Sequence, residues 1–118
     1  MRATNGPATR QRRNRILKRA KGFRGGRGRL YRTAKEVTMR ADVFAFAGRR
    51  AKKRDFRRLW ITRITAAVRA RGLMYSRFIC GVARAGIMLN RKELSELAIH
   101  DPAAFDSVCD KAKAAFTG

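Results

Sequence analysis

Apolar side chains recur at helical spacing in only part of this chain. Phe56, Trp60, Ile64, Ala67 and Val68 fall within an arc of roughly 120° on a helix, the width of a face that meets a core. Upstream, residues 49–58 carry seven basic side chains and one acid, and these cover every side of the same helix. No apolar face is left there to dock on protein. One helix over residues 35–71 therefore has two halves, charged all round and then anchored. Gly48 is the one residue that argues for a break, and a single glycine costs a helix only about 1 kcal/mol relative to alanine. Gly72 ends the helix as its C′ residue. Between residues 37 and 47 lies an apolar band with little charge. Phe44 and Phe46 cannot share one helix face, so the band is to be enclosed by something other than its own small domain.

Beyond Gly72 the pattern predicts three short helices. Ser76 is placed to cap a helix over residues 77–85, which Gly86 closes. Asn90-Arg91-Lys92-Glu93 reads as a capping box opening a helix to about residue 98. Asp101-Pro102 supplies a cap and a proline at the first helical position, opening a last helix to about residue 115. The predicted inward set is Trp60, Ile64, Val68, Leu73, Phe78, Ile79, Val82, Ile87, Leu89, Leu94, Leu97, Ala98, Phe105, Val108, Ala112 and Phe116. No useful run alternates as a strand does. The fold class is all-α: a long basic N-terminal helical extension, residues 1–58, leading into a compact helical domain, residues 59–118. Phe56, Trp60 and Ile64 anchor the one in the other. At the other end, residues 1–9 read as unordered, with Asn5-Gly6-Pro7 a breaker and Thr9 a weak cap. Residues 10–21 hold helix formers but crowd like charges, so they are expected to fold on binding. Residues 22–29 form a glycine–arginine link.

Charge turns this outline toward a function. The 118 residues carry a formal net charge of +22. Residues 1–58 hold 21 basic and 3 acidic side chains, whereas residues 59–118 hold 9 and 5. A segment positive on all sides repels itself in water and gains by being enclosed in negative charge, which a phosphate backbone supplies most densely. Arginine dominates the first half, and its planar fork makes bidentate phosphate contacts. Glycine without a Cβ lets the backbone of the link approach a phosphate while Arg24, Arg27 and Arg29 reach others; the same residues could equally serve as a plain hinge. Phe23 and Tyr31 either stack on unpaired bases or pad the next helix. The candidate contacts are Arg10, Arg12, Arg13, Arg15, Lys18, Lys21, Arg24, Arg27, Arg29, Arg32, Arg49, Arg50, Lys53, Arg54, Arg57 and Arg58.

Catalysis finds little support. His100 is the only histidine, in a link between capped helices, and Glu93 is committed to its box. Ser76, Ser95 and Ser107 have no base arranged for them, so no set meets the nucleophile–base–orienter test. Cys80 and Cys109 read as reduced thiols among apolar residues, and neither has a second ligand pair for a metal. No cofactor or metal is expected. No apolar run reaches membrane-spanning length, and Met1-Arg2-Ala3-Thr4 leads into arginine, which argues against a secretory leader. A DNA reader would present a short helix to the major groove, usually as a dimer. An extended cation suits a folded RNA instead, where several backbones converge on narrow channels. Structural RNA is favoured over DNA. A DNA-compacting architectural protein is the alternative, with a basic accessory subunit held by protein contacts as a third reading.

Four motifs in order carry a family resemblance: Lys21-Gly22-Phe23-Arg24-Gly25, residues 53–61 (Lys53-Arg54-Asp55-Phe56-Arg57-Arg58-Leu59-Trp60-Ile61), Tyr75-Ser76-Arg77-Phe78-Ile79 and Leu89-Asn90-Arg91-Lys92. With Asp101-Pro102-Ala103-Ala104-Phe105 they make the chain similar, over essentially its whole length, to the bacterial large-subunit ribosomal protein twenty family. The resemblance implies a basic extension threaded through 23S ribosomal RNA and a helical C-terminal domain on the RNA surface. It implies early binding that promotes large-subunit assembly, no part in peptide-bond chemistry and, in some members, repression through the protein's own messenger leader. Neighbouring large-subunit proteins are the other implied partners. A cytoplasmic place in the ribosome follows, with no membrane and no obligate homo-oligomer. Among site residues it points to Arg54, Arg57, Arg58 and Trp60 on the helix, and to Tyr75, Ser76, Arg77 and Arg91 in the domain, where Lys92 is a further candidate RNA contact.

Overall fold

A computed structural model describes residues 5–117. The arginine-led start at residues 1–4, on which the argument against a leader rests, lies outside them. The described residues form helices α1 (Gly6–Arg19), α2 (Gly26–Arg29), α3 (Tyr31–Arg69), α4 (Tyr75–Arg84), α5 (Arg91–His100) and α6 (Pro102–Thr117), and no strand. The fold is all-α, as the sequence pattern requires. Helix α3 begins earlier than its apolar periodicity suggests and runs unbroken through Gly48. The chain divides into two compact units, residues 1–51 and residues 52–118.

The first unit has little core. Its buried residues, among those described, are Ala20, Ala34 and Thr38. Residues 6–9, read as unordered from the sequence, are instead the first turn of α1. Pro7 starts the helix rather than breaking it, because the first turn has no use for its missing N–H. Thr9 lies inside the helix, and no side chain caps it. The link is a turn followed by one helical turn. Gly22 and Gly25 take left-handed φ values of +93° and +63°. A Cβ at Gly28 would lie 2.4 Å from the carbonyl oxygen of Phe23, so the turn closes only on a bare backbone. The Arg13 guanidinium lies 5.6 Å from the Tyr31 ring centroid, and Arg19 pairs with Asp42.

The second unit packs the C-terminal part of α3 with α4, α5 and α6. Gly72 and Gly86 close α3 and α4 with the same device. In each, a left-handed glycine donates to the carbonyl three residues back, and the next N–H reaches five back: Leu73 to Val68 at 3.0 Å, Ile87 to Val82 at 3.1 Å. The capping box holds: the Glu93 N–H donates to Asn90 Oδ1 at 3.0 Å, and the Asn90 N–H to Glu93 Oε2 at 2.7 Å. Asp101 Oδ1 accepts from the Ala104 N–H at 3.0 Å, with Pro102 in the first turn of α6. Ser76 does not cap α4. The Phe78 N–H closes on the Met74 carbonyl at 2.9 Å, so the helix starts at Tyr75 and Ser76 sits inside its first turn. His100 is likewise the last residue of α5 rather than a link, 3.2 Å from Glu96.

Ile64, Val68, Phe78, Val82, Leu94, Phe105, Cys109 and Ala112 form the core. The rings of Phe78 and Phe105 meet at 5.6 Å. Helix α6 packs chiefly on α4, where Gly81 lets the helices touch: a Cβ there would lie 2.2 Å from the Ala112 carbonyl oxygen. Two residues of the predicted inward set lie at the surface. Leu89 stands in the link before Asn90, and Phe116 lies near the end of α6 with its ring flanked by Arg77 and Arg84, each 5.6 Å away.

Two core details lead to predictions. Ser95 is fully buried and its hydroxyl has no hydrogen-bond partner. Replacing it by alanine removes a desolvated polar group and adds a better helix former. Ser95→Ala is expected to raise unfolding stability by about 1 kcal/mol, seen as a higher urea midpoint at unchanged slope. Both cysteines are free, Cys109 buried and Cys80 half-buried. Burial pushes the Cys109 thiol pKa up, outweighing nearby Arg71. Stability from keeping that thiol neutral is present below the ordinary thiol range and is lost as pH rises through its raised pKa. In the native protein a maleimide should label Cys80 well before Cys109, and equal rates would contradict the packing.

Candidate nucleic-acid interface

Lys53, Arg54, Arg57 and Trp60 project from α3 within an arc of about 120°. Opposite them stands the start of α5, with Asn90, Arg91 and Lys92. Together these seven residues line a cleft of about 510 Å³ in the second unit. Five of them are cationic and none is acidic. The neighbouring Glu93 carboxylate is turned back onto the Asn90 N–H by the capping box, so it satisfies the start of α5 and does not line the cleft. Arg91 is oriented from behind: its Nε donates to the Tyr75 hydroxyl at 3.1 Å. One of five guanidinium donors is used this way, leaving the fork available for a bidentate phosphate contact. Trp60 is half-buried and braced by Phe56, ring centroids 6.1 Å apart and tilted 55°. Its indole supplies an apolar wall on which a base or ribose can rest. Cations and an aromatic wall suit a phosphate backbone with an unpaired base.

The family model for Ribosomal protein L20 matches residues 2–108. The chain belongs to the ribosomal protein L20 family. Among relatives, it is 61% identical over 113 residues to the "Large ribosomal subunit protein bL20" of Rhodopirellula baltica, covering 96% of each chain. It is 55% identical to the protein of that name in Thermoanaerobacter sp., over 92% of this chain and 91% of the relative. The protein of that name in Leptothrix cholodnii is also 55% identical, over 96% of each.

Three of the four motifs behind the L20 resemblance meet at this cleft: Lys53, Arg54, Arg57 and Trp60 of the second and Asn90, Arg91 and Lys92 of the fourth line it, and Tyr75 of the third braces it. The remaining predicted residues of this L20 chain lie elsewhere. Arg58 is exposed but is not among the cleft's lining residues. Arg77 sits on α4 beside the Phe116 ring. Of the predicted anchors, Ile64 is in the core and Trp60 is half-buried, while Phe56 is 44% exposed and touches Trp60 instead of the core. In the first unit, Arg15 and Lys18 border a shallow groove with Gln11 and Asn14. Arg27 lines a hollow with Arg40 and Phe44, and Arg32 another with Tyr31 and Met39. Arg10, Arg12, Lys21, Arg24, Arg29, Arg49 and Arg50 are exposed along the helices and turn, and Arg13 is exposed with its guanidinium by Tyr31. Asn90 in the cleft wall was read from the sequence only as a helix cap. Its distance in sequence from residues 53–60 hides the second role.

Proposed function

We propose that this chain is a structural constituent of the large ribosomal subunit that binds 23S ribosomal RNA directly and promotes early assembly of that subunit. Membership of the L20 family supports the ribosomal assignment. The observation that carries direct RNA binding is the cleft: five cations and a braced tryptophan, drawn from two separated motifs, with no acid among its lining residues. On this reading the chain works in two parts. Residues 1–51 neutralise phosphate along a path through the RNA, and residues 52–118, which hold the cleft, recognise a site on its surface.

The test is the salt dependence of affinity for a large-subunit RNA fragment. Arg57→Ala and Arg91→Ala should each weaken binding roughly tenfold or more, the worth of a charge-assisted hydrogen bond. Each should also lower the slope of log affinity against log salt by somewhat under one unit. Tyr75→Phe keeps every charge, so it should weaken binding while leaving that slope nearly unchanged. Unaltered slopes for both arginine variants would rule out phosphate contact at the cleft. Footprinting in the presence of competing DNA separates the alternative: protection confined to one RNA region fits the proposal, while diffuse protection lost equally to DNA fits a DNA-compacting protein.

A further inference from the structure

Helix α3 carries a second kind of surface within the first unit. Met39, Val43 and Phe46 are spaced four and three apart, so they form one stripe, and they are 55%, 66% and 54% exposed. Arg32 and Lys35 precede them on the same face and Arg50 follows, all within an arc of about 80°. The chain's own packing uses a different side of α3, where Ala34 and Thr38 are buried and Asp42 pairs with Arg19. The stripe is thus three large apolar side chains open to water, with Arg50 at one end and, at the other, Arg32 and Lys35, which outnumber the one acid beside them, Glu36.

We infer that this stripe docks an amphipathic segment of a second protein, apolar in its middle and carrying carboxylates at both ends. The inference rests on the proposed place of the chain in the large subunit, where RNA and proteins both surround it. RNA rewards charge, and residues 39–46 offer one cation and one acid, the acid already paired. One face of the Phe46 ring carries the Arg50 guanidinium at 4.7 Å, so that face is capped rather than offered to a base. Methionine, aromatic and arginine side chains with few lysines and acids are the composition of a protein–protein interface core. The bracketing cations fix the partner's charge pattern. Lys35 and Arg50 are about 22 Å apart at 1.5 Å rise per residue, so the partner's carboxylates are separated by roughly that distance.

The experiment places a benzophenone-bearing amino acid at Val43 and, in a separate variant, at Arg57, in full-length chain incorporated into large subunits and then irradiated. The expected result is a protein adduct from position 43 and an RNA adduct from position 57, with mass spectrometry locating the adducted peptide in an apolar run flanked by Asp or Glu. An adduct to RNA alone from position 43, an adduct to a second copy of this chain, or none there while position 57 reaches RNA would each overturn the inference and leave the proposed function standing. Failure of both variants to reach any ribosomal component would overturn the proposed function and this inference with it.

Discussion

Gly81→Ala is expected to remove a large part of the stability of the second unit. Alanine in the middle of an exposed helix normally gains about 1 kcal/mol over glycine. At this position the new Cβ would lie 2.2 Å from the Ala112 carbonyl oxygen, 2.8 Å from its carbonyl carbon and 3.0 Å from its Cα. All three neighbours are backbone, so no rotamer change relieves the clash. Helices α4 and α6 must part by about an ångström, and the Phe78 and Phe105 rings between them lose contact. Overpacking of this kind costs about 1–3 kcal/mol, and here the loosened core adds to it. A unit of roughly 65 residues is stable by about 3–10 kcal/mol in all. The urea midpoint should therefore drop sharply, with a flattened transition if packing is lost before helicity. Gly48→Ala is the control: nothing lies within 4 Å of its new Cβ, and it should be neutral or stabilising. Equal midpoints for Gly81→Ala and the parent would show that the helices do not touch there.

The second large effect separates two fragments. Residues 52–118 and residues 59–118 should both be helical, since every core residue lies beyond position 59. Only the longer fragment keeps Lys53, Arg54 and Arg57. It should bind a large-subunit RNA site at least about a hundredfold more tightly at moderate salt, with a salt slope greater by about two to three units. If the shorter fragment binds equally well, the cleft is not the recognition surface. The charge step at residue 58 suggests cutting there, and that cut divides the cleft's lining residues, whereas the boundary between the two compact units falls at 51/52, inside the basic run.

That difference measures how far the sequence could be read. Helix ends written in local chemistry were legible, such as the Asn90–Glu93 box, Asp101-Pro102 and the glycines at 72 and 86, because each is decided by neighbouring atoms. Ser76 misled for the complementary reason. It has cap chemistry, but the first turn closes on Met74 and leaves Tyr75 able to meet Arg91 and Phe78 in the core, and a local rule cannot weigh those distant contacts. Periodicity placed Leu89 and Phe116 inside because it knows a residue's angle but not where the opposing helix stops. The role of Gly81 has no local signature, since it depends on Ala112, which is distant in sequence. The cleft was legible as motifs and not as a place. Lys53–Trp60 read as a basic run meeting an anchor and Asn90–Lys92 as part of a capping box, and only the fold of the second unit brings them to one cleft.

The sparse core of residues 5–51 bears on how long an unassembled copy survives. Burial amounts to Ala20, Ala34 and Thr38, so little free energy separates the folded form of this half from an open one. Each of its many arginines and lysines is then a cleavage point for a trypsin-like protease whenever the helices open. Enclosed by a binding partner, the same bonds are shielded. On the proposed function, surplus chain would be trimmed from its first half while incorporated chain persists.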